Sequence, residues 1–463
     1  MVASRLTLVL GLGESGLAMA RWLARQGVAL RVADSRPVPP GIDRLKVEAP
    51  AAELVTGPFA DSLLDGVDRI AISPGLDPRQ PLVATAQARG IPVVGEMDLL
   101  VEALGLCGVR DSSRIIAITG TNGKTTTTTL AGEMVKAAGE DGVVAGNISP
   151  AALDVLMARQ DAGQPLPGFW VLELSSFQLE TAPTLSAVAA TVLNVTDDHL
   201  DRYSGLDDYA ATKAAVFQGD GVQVLNRDDP RVAAMAQPGR RVLSFGVDAP
   251  AGADAYGVID VDGVDWLAKG DEKLMPRSAM RLAGSHNVAN ALAALALCEA
   301  AGLPRVALLE ALKAFRSLPH RVEQVARRDD GVTYYDDSKG TNVGATVAAL
   351  EGLRCKVVLI AGGDGKGQDF SPLKDAFARY ARAVILIGRD AATIEAAVAG
   401  CGVPLVHAAD MDVAVLEANA RAEAGDVVLL SPACASLDMF RNYAHRAQVF
   451  IDAVLHLPGV SPE

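Results

Sequence analysis

The run from Ile115 to Thr126 constrains the fold of this chain more than any other segment. Its sequence, IIAITGTNGKTT, passes from an apolar stretch through a glycine loop into a pattern typical of a helix start. Backbone N–H groups of such a loop can surround phosphate oxygens, while its lysine offsets phosphate charge and its threonine hydroxyl binds magnesium. The spacing departs from the full P-loop pattern, because Ile118 stands where the first glycine is expected. The run still predicts a triphosphate site on an α/β sheet.

Short apolar runs alternate with helical patterns along the rest of the chain. Such alternation predicts parallel, doubly wound sheets. At about 150 residues per domain, 463 residues suggest three domains. We predict an α/β protein with a Rossmann-like N-terminal domain (1–108), a P-loop ATPase-like central domain (109–317) and a Rossmann-like C-terminal domain (318–463). Residues 245–272, rich in Gly and Asp, predict an antiparallel excursion in the central domain.

Composition narrows the class of partner. The chain has 42 basic and 56 acidic residues and a net charge of −14, which disfavours nucleic acid or an anionic membrane as a partner. Five cysteines without a CxxC pair indicate reduced thiols rather than disulfides or a thiolate zinc site. No segment approaches the ~18 unbroken apolar residues of a membrane helix. We expect a cytoplasmic monomer that acts on small molecules.

A second glycine pattern, GLGESG at 11–16, lies between a predicted strand and a predicted helix. Such glycines let the backbone approach a diphosphate at a helix N-terminus. NAD binding is one interpretation, and a tight turn without a ligand is another. We favour a different diphosphate ligand, because Asp34, Ser35 and Arg36 can offer an acceptor, a hydroxyl and a stacking guanidinium to a ribose and base.

Three residues of the central domain are candidates for metal chemistry. Glu173 ends an apolar strand, where an unpaired carboxylate is costly and magnesium is a natural partner; a salt-bridged core glutamate is the alternative. His199, in TDDHLD, could be a ligand, an orienting donor or a structural histidine. Lys213 lies in an alanine-rich helix and, taken alone, is typical of a solvated helix lysine.

Three apolar strands of the C-terminal domain end in polar loops: 357–361 before GGDGKG, 383–387 before GRD and 427–430 before SPACAS. Ligands of open α/β sheets bind at such strand ends. Lys366, in the first loop, can reach a ligand carboxylate or can simply be solvated. Ser436, in the third, can supply a neutral donor.

Together these motifs resemble the Mur ligases of peptidoglycan precursor synthesis, and the resemblance covers essentially the whole chain. The matching segments are DSR (34–36), SPG (73–75), GTNGKTT (120–126), GN (146–147), LELSSFQLE (172–180), NVTDDHLDRY (194–203), the Lys213 helix, GSHNVANALAA (284–294), LPHRVE (318–323), DDSKGTN (336–342), GGDGKG (362–367) and SPACASLDMF (431–440). GTNGKTT alone would also fit folylpolyglutamate synthetases. DDSKGTN and SPACASLD are narrower and select the D-glutamate-adding branch.

The resemblance implies an ATP-dependent ligase that adds D-glutamate to UDP-N-acetylmuramoyl-L-alanine through an acyl phosphate. It implies ATP and two magnesium ions as cofactors. It also implies that Lys213 is carbamylated, which would replace an ammonium by anionic oxygens suited to a metal. The resemblance thus contradicts the solvated interpretation of Lys213.

Site residues follow from the matched motifs. The implied catalytic residues are Lys124, His199 and Lys213, and the implied metal ligands are Thr125, Glu173, His199 and carbamylated Lys213. The implied ATP-binding residues are Gly120, Thr121, Asn122, Gly123, Lys124, Thr125, Thr126, Asn287, Arg321, Asp337 and Lys339. The implied residues for the UDP-muramoyl substrate are Ser15, Gly16, Asp34, Ser35, Arg36, Gly75, Asn147 and His199. The implied D-glutamate residues are Lys366, Ser436, Leu437 and Tyr443, the last standing where phenylalanine is expected.

Overall fold

The computed structural model describes residues 6–198, 202–282, 284–316, 318–353 and 355–462. These residues form three separate β-sheets, each flanked by helices. The predicted α/β class with three domains is confirmed. The boundaries after residues 108 and 317 stay predictions.

The first sheet is parallel throughout, with the order β3-β2-β1-β4-β5 of a Rossmann-like half. Its strands are β1 (Leu6–Leu10), β2 (Ala29–Asp34), β3 (Glu53–Thr56), β4 (Val67–Ile72) and β5 (Val93–Val94). Its helices are α1 (Glu14–Arg25), α2 (Ile42–Glu48), α3 (Pro81–Ala88) and α4 (Glu96–Leu106).

The second sheet has the order β14-β13-β12-β11-β10-β9-β6-β8-β7, and β12, β13 and β14 pair antiparallel at one edge. The predicted antiparallel excursion is therefore confirmed. The strands are β6 (Arg114–Thr119), β7 (Gly142–Gly146), β8 (Phe169–Glu173), β9 (Ala189–Val192), β10 (Val222–Asn226), β11 (Val242–Phe245), β12 (Ala255–Val261), β13 (Val264–Lys269) and β14 (Glu272–Pro276). The helices are α5 (Lys124–Ala137), α6 (Ala152–Asp161), α7 (Ser176–Leu179), α8 (Leu206–Ala214), α9 (Pro230–Ala233), α10 (Ser285–Ala300) and α11 (Arg305–Ala314).

The third sheet has the order β19-β18-β17-β20-β16-β15-β21, in which β15 pairs antiparallel with both of its neighbours. Its strands are β15 (Glu323–Arg328), β16 (Thr333–Asp336), β17 (Val357–Gly362), β18 (Ala381–Ile387), β19 (Leu405–His407), β20 (Val427–Leu430) and β21 (Val460–Pro462). Its helices are α12 (Val343–Leu353), α13 (Leu373–Tyr380), α14 (Ala391–Ala397), α15 (Met411–Arg421) and α16 (Tyr443–Leu455).

One apolar cluster joins the first two domains. It runs from Val9 and Trp22 of the first domain to Trp170 and Phe217 of the second. The third sheet instead has its own apolar clusters on its two faces. The first two domains thus share a core, and the third contributes a separate one.

The apolar run 187–195 forms a strand only in part, because β9 ends at Val192. Beyond it, Asn194 O accepts a hydrogen bond from Thr121 N (2.9 Å), and Val195 N donates to Asp229 Oδ2 (2.7 Å). The end of the apolar run therefore lies outside the sheet, where Asn194 contacts the glycine loop.

The glycine pattern of the first domain reflects close packing at Gly11 and Gly16 but not at Gly13. A Cβ on Gly16 would lie 1.9 Å from the carbonyl oxygen of Gly11, whereas a Cβ on Gly13 would meet nothing within 4 Å. Gly16 therefore has to be glycine for α1 to pack against the loop that follows β1.

We predict that Gly16→Ala lowers the free energy of unfolding by about 2 kcal/mol or more, because the methyl group overlaps backbone that cannot move away. Gly13→Ala is the matched control and should cost less than about 1 kcal/mol. Urea unfolding of both variants measures the difference. Equal effects at the two positions would contradict the packing argument.

Candidate active site

The phosphate-type loop lies between β6 and α5. Gly120 and Gly123 have φ angles of +145° and +84°, which disfavour any residue with a side chain. A Cβ on Gly123 would also lie 2.3 Å from Asn290 Oδ1. Helix α5 begins at Lys124, so its N-terminal N–H groups and positive dipole end face the loop. This is the arrangement that an anionic phosphate requires.

Asn194, a residue that the sequence did not single out, holds this loop in shape. Its Oδ1 accepts from Asn122 N (2.8 Å) and its Nδ2 donates to Asn122 O (3.0 Å). In the sequence, its position directly after a buried strand was the feature that could have indicated this role.

Lys124 folds back over the same loop. Its Nζ donates to the carbonyl oxygens of Gly120 and Thr121, both at 2.8 Å. An ammonium carries three donors, so these bonds leave one for a phosphate oxygen. Burial lowers the pKa of Lys124, while the negative charges of Glu173 and Asp198 oppose that shift.

Glu173 ends β8 and is only 3% exposed. Its Oε1 accepts from Asn147 Nδ2 (2.9 Å), and its backbone oxygen accepts from Asn147 N (2.7 Å). Its Oε2 is buried and has no hydrogen-bond partner among the described residues. A buried carboxylate oxygen without a partner is costly, and a hard cation would satisfy it. These residues therefore fit magnesium.

Lys213 is not a solvated helix residue, and that interpretation of the sequence is wrong. The side chain is 1% exposed, its Nζ donates to Gly120 O (2.9 Å), and the nitrogen lies 4.3 Å from the centre of the Tyr209 ring. Burial, followed by the positive charge of Lys124, lowers the pKa of Lys213 well below its usual value. The amine is therefore biased toward its neutral, nucleophilic form.

The third domain reaches the loop through two side chains. Arg321 Nη2 donates to Thr125 Oγ1 (2.6 Å), and Asn342 Nδ2 donates to Asn122 Oδ1 (3.2 Å). Asp337 lies nearby and accepts from Ser431 Oγ (2.7 Å), and burial raises its pKa to about 7.

Two cavities adjoin the loop, and both are lined by Asn122, Gly123, Arg321 and Lys339. One, of about 330 Å³, is further lined by Thr126, Asn287, Asp337 and the apolar side chains Phe245 and Val247. The other, of about 610 Å³, is further lined by Lys124, Thr125, Asn147, Glu173, His320 and Tyr443. A nucleotide base suits the first, and phosphates and a metal suit the second, which we call the reaction cleft.

In the first domain, Asp34 is already engaged by the protein. Its carboxylate accepts from Leu12 N (2.7 Å) and from the Arg36 guanidinium at 2.8 and 2.6 Å. The hydrogen bond from Arg36 is the main cause that lowers the pKa of Asp34 to about 2, although burial opposes it. Ser35, Arg36 and Gly75 are exposed beside it, and Ser15 and Gly16 lie in the first turn of α1.

The residues predicted for D-glutamate lie in two places. Asp364 and Ala435 form a bridge with bonds of 3.0 and 2.9 Å, which brings the loop of Lys366 beside the loop of Ser436. Lys366 and Leu437 are exposed, whereas Ser436 is buried. Tyr443 lies in the reaction cleft, where Lys339 Nζ is 3.8 Å from the centre of its ring. His199, predicted as a ligand, lies outside the described residues.

The arrangement is that of a three-domain, P-loop-containing ligase, and comparison with known proteins gives the family. The Mur ligase MurD-like N-terminal domain matches residues 5–95, the Mur ligase middle domain matches 118–298, and the Mur ligase glutamate ligase domain matches 320–434. The chain belongs to the Mur ligase family, whose members use ATP and magnesium. The family predicted from the motifs is confirmed.

Similar proteins include two named UDP-N-acetylmuramoylalanine–D-glutamate ligase. That of Aromatoleum aromaticum is 65% identical, over 98% of this chain and 97% of its own length. That of Dechloromonas aromatica is 58% identical, over 96% of this chain and 97% of its own length. The solved structure of MurF from Acinetobacter baumannii shares the fold, with 15% sequence identity and a TM-score of 0.60. The match covers 97% of this chain and 91% of the MurF chain. In the described part of the chain, no helix combines the length and apolar character needed to cross a membrane.

We predict that Lys124→Ala lowers turnover about 100-fold or more, because a positive charge at the transferring phosphate is lost. Lys136→Ala, at an exposed position near the other end of α5, is the matched control and should retain full turnover. Steady-state phosphate release measures both, and thermal unfolding checks the fold. Wild-type turnover in Lys124→Ala would contradict the phosphate assignment of the loop.

Proposed function

We propose that this chain is the ATP-dependent ligase that joins D-glutamate to UDP-N-acetylmuramoyl-L-alanine in peptidoglycan precursor synthesis. The observation that carries the proposal is the reaction cleft. It combines a phosphate loop, an arginine from the third domain bonded to Thr125, and a buried carboxylate oxygen of Glu173 that has no hydrogen-bond partner among the described residues. A ligase needs these features together, because it must transfer a phosphoryl group and then keep the product away from water until an amine arrives.

In the proposed reaction, the alanine carboxylate attacks the γ-phosphate of ATP. This step forms an acyl phosphate and releases ADP. The amine of D-glutamate then attacks the acyl carbon, and phosphate departs. Lys124 and Arg321, which both line the reaction cleft, would stabilise charge on the transferring group. Asn287 in the first cavity, with Asp337 and Lys339, would bind the nucleotide.

We further propose two magnesium sites, held by Thr125, Glu173, His199 and carbamylated Lys213. When bound, the ions offset phosphate charge during transfer. The Glu173 Oε2 atom, which has no hydrogen-bond partner in the described part of the chain, supports the first site.

The neutral bias of Lys213 supports its carbamylation, because only an unprotonated amine attacks carbon dioxide. The carbamate would carry a negative charge beside Lys124 and would attract the ammonium of that lysine. It would also supply hard oxygens to a metal.

In the first domain, we propose that Ser15, Gly16, Ser35, Arg36 and Gly75 receive the UDP part of the substrate. The pairing of Asp34 with Leu12 N and Arg36 supports this over a dinucleotide site, because its oxygens are already used within the protein. The cytoplasmic location, the monomeric state and the absence of nucleic-acid and membrane partners stay predictions.

The direct test is ATP-dependent phosphate release by the purified chain. Release that requires both UDP-N-acetylmuramoyl-L-alanine and D-glutamate is the expected result. Release without D-glutamate would indicate an ATPase, and release with another amino acid in preference would indicate a different ligase of the family. Reduction of NAD in place of phosphate release would identify the first domain as a dehydrogenase module.

For the carbamate, we predict that Lys213→Ala is nearly inactive and that short carboxylates such as acetate partly restore its turnover. Incubation of the wild type with ¹³C-bicarbonate should give a carbamate carbon signal in NMR that is absent from Lys213→Ala. Full activity without that signal, or after exhaustive removal of carbon dioxide, would contradict the modification.

For D-glutamate recognition, we predict that Lys366→Ala lowers kcat/KM for D-glutamate by roughly 10-fold to 150-fold, as expected for a lost charge-assisted hydrogen bond. The KM for ATP should change much less. Lys374→Ala, an exposed lysine at the start of α13, is the control. Equal losses for ATP and D-glutamate would indicate a role in domain closure instead.

A further inference from the structure

His320 lies in the reaction cleft, yet neither the phosphate chemistry nor the metal site uses it. Its side chain is 22% exposed, and its ring stands edge-on to that of Tyr443, with centroids 6.0 Å apart. The next residue, Arg321, bonds to Thr125 of the phosphate loop. His320 therefore lies next to the phosphate end of the cleft and beside Tyr443 at the same time.

The ring of His320 is oriented by a buried carboxylate. Its Nδ1 lies 2.6 Å from Oδ2 of Asp336, which is fully buried. The second oxygen of Asp336 accepts from Ser338 N (2.8 Å). Burial raises the pKa of Asp336, and its hydrogen bond with His320 opposes that shift. In its ionised form, Asp336 keeps the proton on Nδ1 and leaves the lone pair on Nε2, which is the relation between the aspartate and histidine of a catalytic triad.

The backbone at His320 is also held in an unusual conformation. Its φ is +65°, a value that costs free energy for a residue with a side chain. Three contacts fix it there: His320 N donates to Glu323 Oε2 (2.8 Å), Lys339 N donates to His320 O (3.1 Å), and the ring contacts Asp336. Because Glu323 and Asp336 already accept these hydrogen bonds, the three residues form an oriented histidine rather than a cation site.

The proposed reaction requires a proton acceptor, and an oriented histidine can serve as one. An amino acid near neutral pH carries an ammonium group, which has no lone pair with which to attack an acyl phosphate. Lys124, Arg321 and Lys339 line the cleft as cations, and Glu173 fits a metal. Among the described residues of this cleft, His320 offers an imidazole nitrogen, Nε2, on a ring that Asp336 orients.

Building on the proposed function, we propose that His320 is the proton acceptor that converts the ammonium of the incoming amino acid into the attacking amine. An N–H bond of the ammonium breaks, and its proton moves to Nε2. The freed electron pair forms the C–N bond at the acyl carbon, and the C–O bond to phosphate breaks. The second proton leaves with phosphate as hydrogen phosphate, and the imidazolium later releases its proton to water.

The charges around His320 are mixed. Asp336 on β16 and Glu323 on β15 stabilise the imidazolium, whereas Arg321 and Lys339 oppose it, and Tyr443 on α16 contacts the ring edge. The ionised Asp336 is the closest of these charges to the ring, so we expect it to have the largest effect.

The test compares two nucleophiles in the full chain. His320→Gln should lose about 100-fold or more of its turnover with D-glutamate near neutral pH, as expected for loss of a general base. Hydroxylamine is largely unprotonated at that pH and needs no base, so hydroxamate formation from UDP-N-acetylmuramoyl-L-alanine and ATP should stay at the wild-type rate. The D-glutamate defect should also shrink as the pH rises, because more free amine is then present.

His407→Gln is the matched control. His407 also pairs with a carboxylate, Glu395 at 2.9 Å, but is exposed on β19. It should keep wild-type rates with both nucleophiles. Asp336→Asn should also lose turnover with D-glutamate but not with hydroxylamine, and its loss should be smaller than that of His320→Gln.

Two results would overturn the proposal. Equal losses with D-glutamate and hydroxylamine would make His320 a structural residue, and unchanged D-glutamate turnover would leave it without a role. If the wild type itself forms neither amide nor hydroxamate, the proposed ligase function fails instead.

Discussion

The carbonyl oxygen of Gly120 accepts a hydrogen bond from each of two lysines, and much of the site depends on this shared acceptor. Lys124 Nζ lies 2.8 Å from the oxygen and Lys213 Nζ lies 2.9 Å from it. Two unit charges ~5 Å apart repel by about 3 kcal/mol at an effective dielectric constant near 20. Burial, followed by this repulsion, lowers the pKa of Lys213 well below its usual value. This one constraint explains both a cationic Lys124 for phosphate and a Lys213 that is suited to modification.

The shared acceptor exists because the loop has one permitted shape. Gly120 and Gly123 adopt backbone angles that favour glycine, and Asn194 and Asn290 pack against them. The third domain then adds Arg321 and Asn342, each through one hydrogen bond to the loop. The third domain has its own core and also packs its helix α12 against α10 of the central domain, where His286 Nδ1 lies 3.2 Å from Ala348 O.

The features that could be predicted from the sequence are those that a local pattern of residues determines. Apolar runs that end at Asp34, Glu173, Ala361 and Leu430 were recognisable because buried parallel strands are short and continuous. The functional residues at those ends could be placed for the same reason. Their roles at the level of single residues came from the family motifs.

Long-range contacts explain what the sequence did not predict. An alanine-rich helix gives no sign that Lys213 is buried, since its partner Gly120 is 93 residues away. His320 lies within a recognised motif, but its pairing with Asp336 depends on the antiparallel register of β15 and β16 and on a positive φ. The hydrogen bonds of Asp34 with Leu12 N and Arg36 also depend on a long-range contact, because the loop after β1 comes close to the end of β2.

The central claim is that the cleft activates a substrate carboxylate by phosphorylation. Transfer of ¹⁸O from a labelled alanine carboxylate of UDP-N-acetylmuramoyl-L-alanine tests this claim most directly, with the released phosphate analysed by mass spectrometry. Attack of that carboxylate on ATP predicts one ¹⁸O atom in each phosphate released during amide formation. Phosphate without ¹⁸O would mean that water, not the substrate carboxylate, attacks ATP, and would contradict the account.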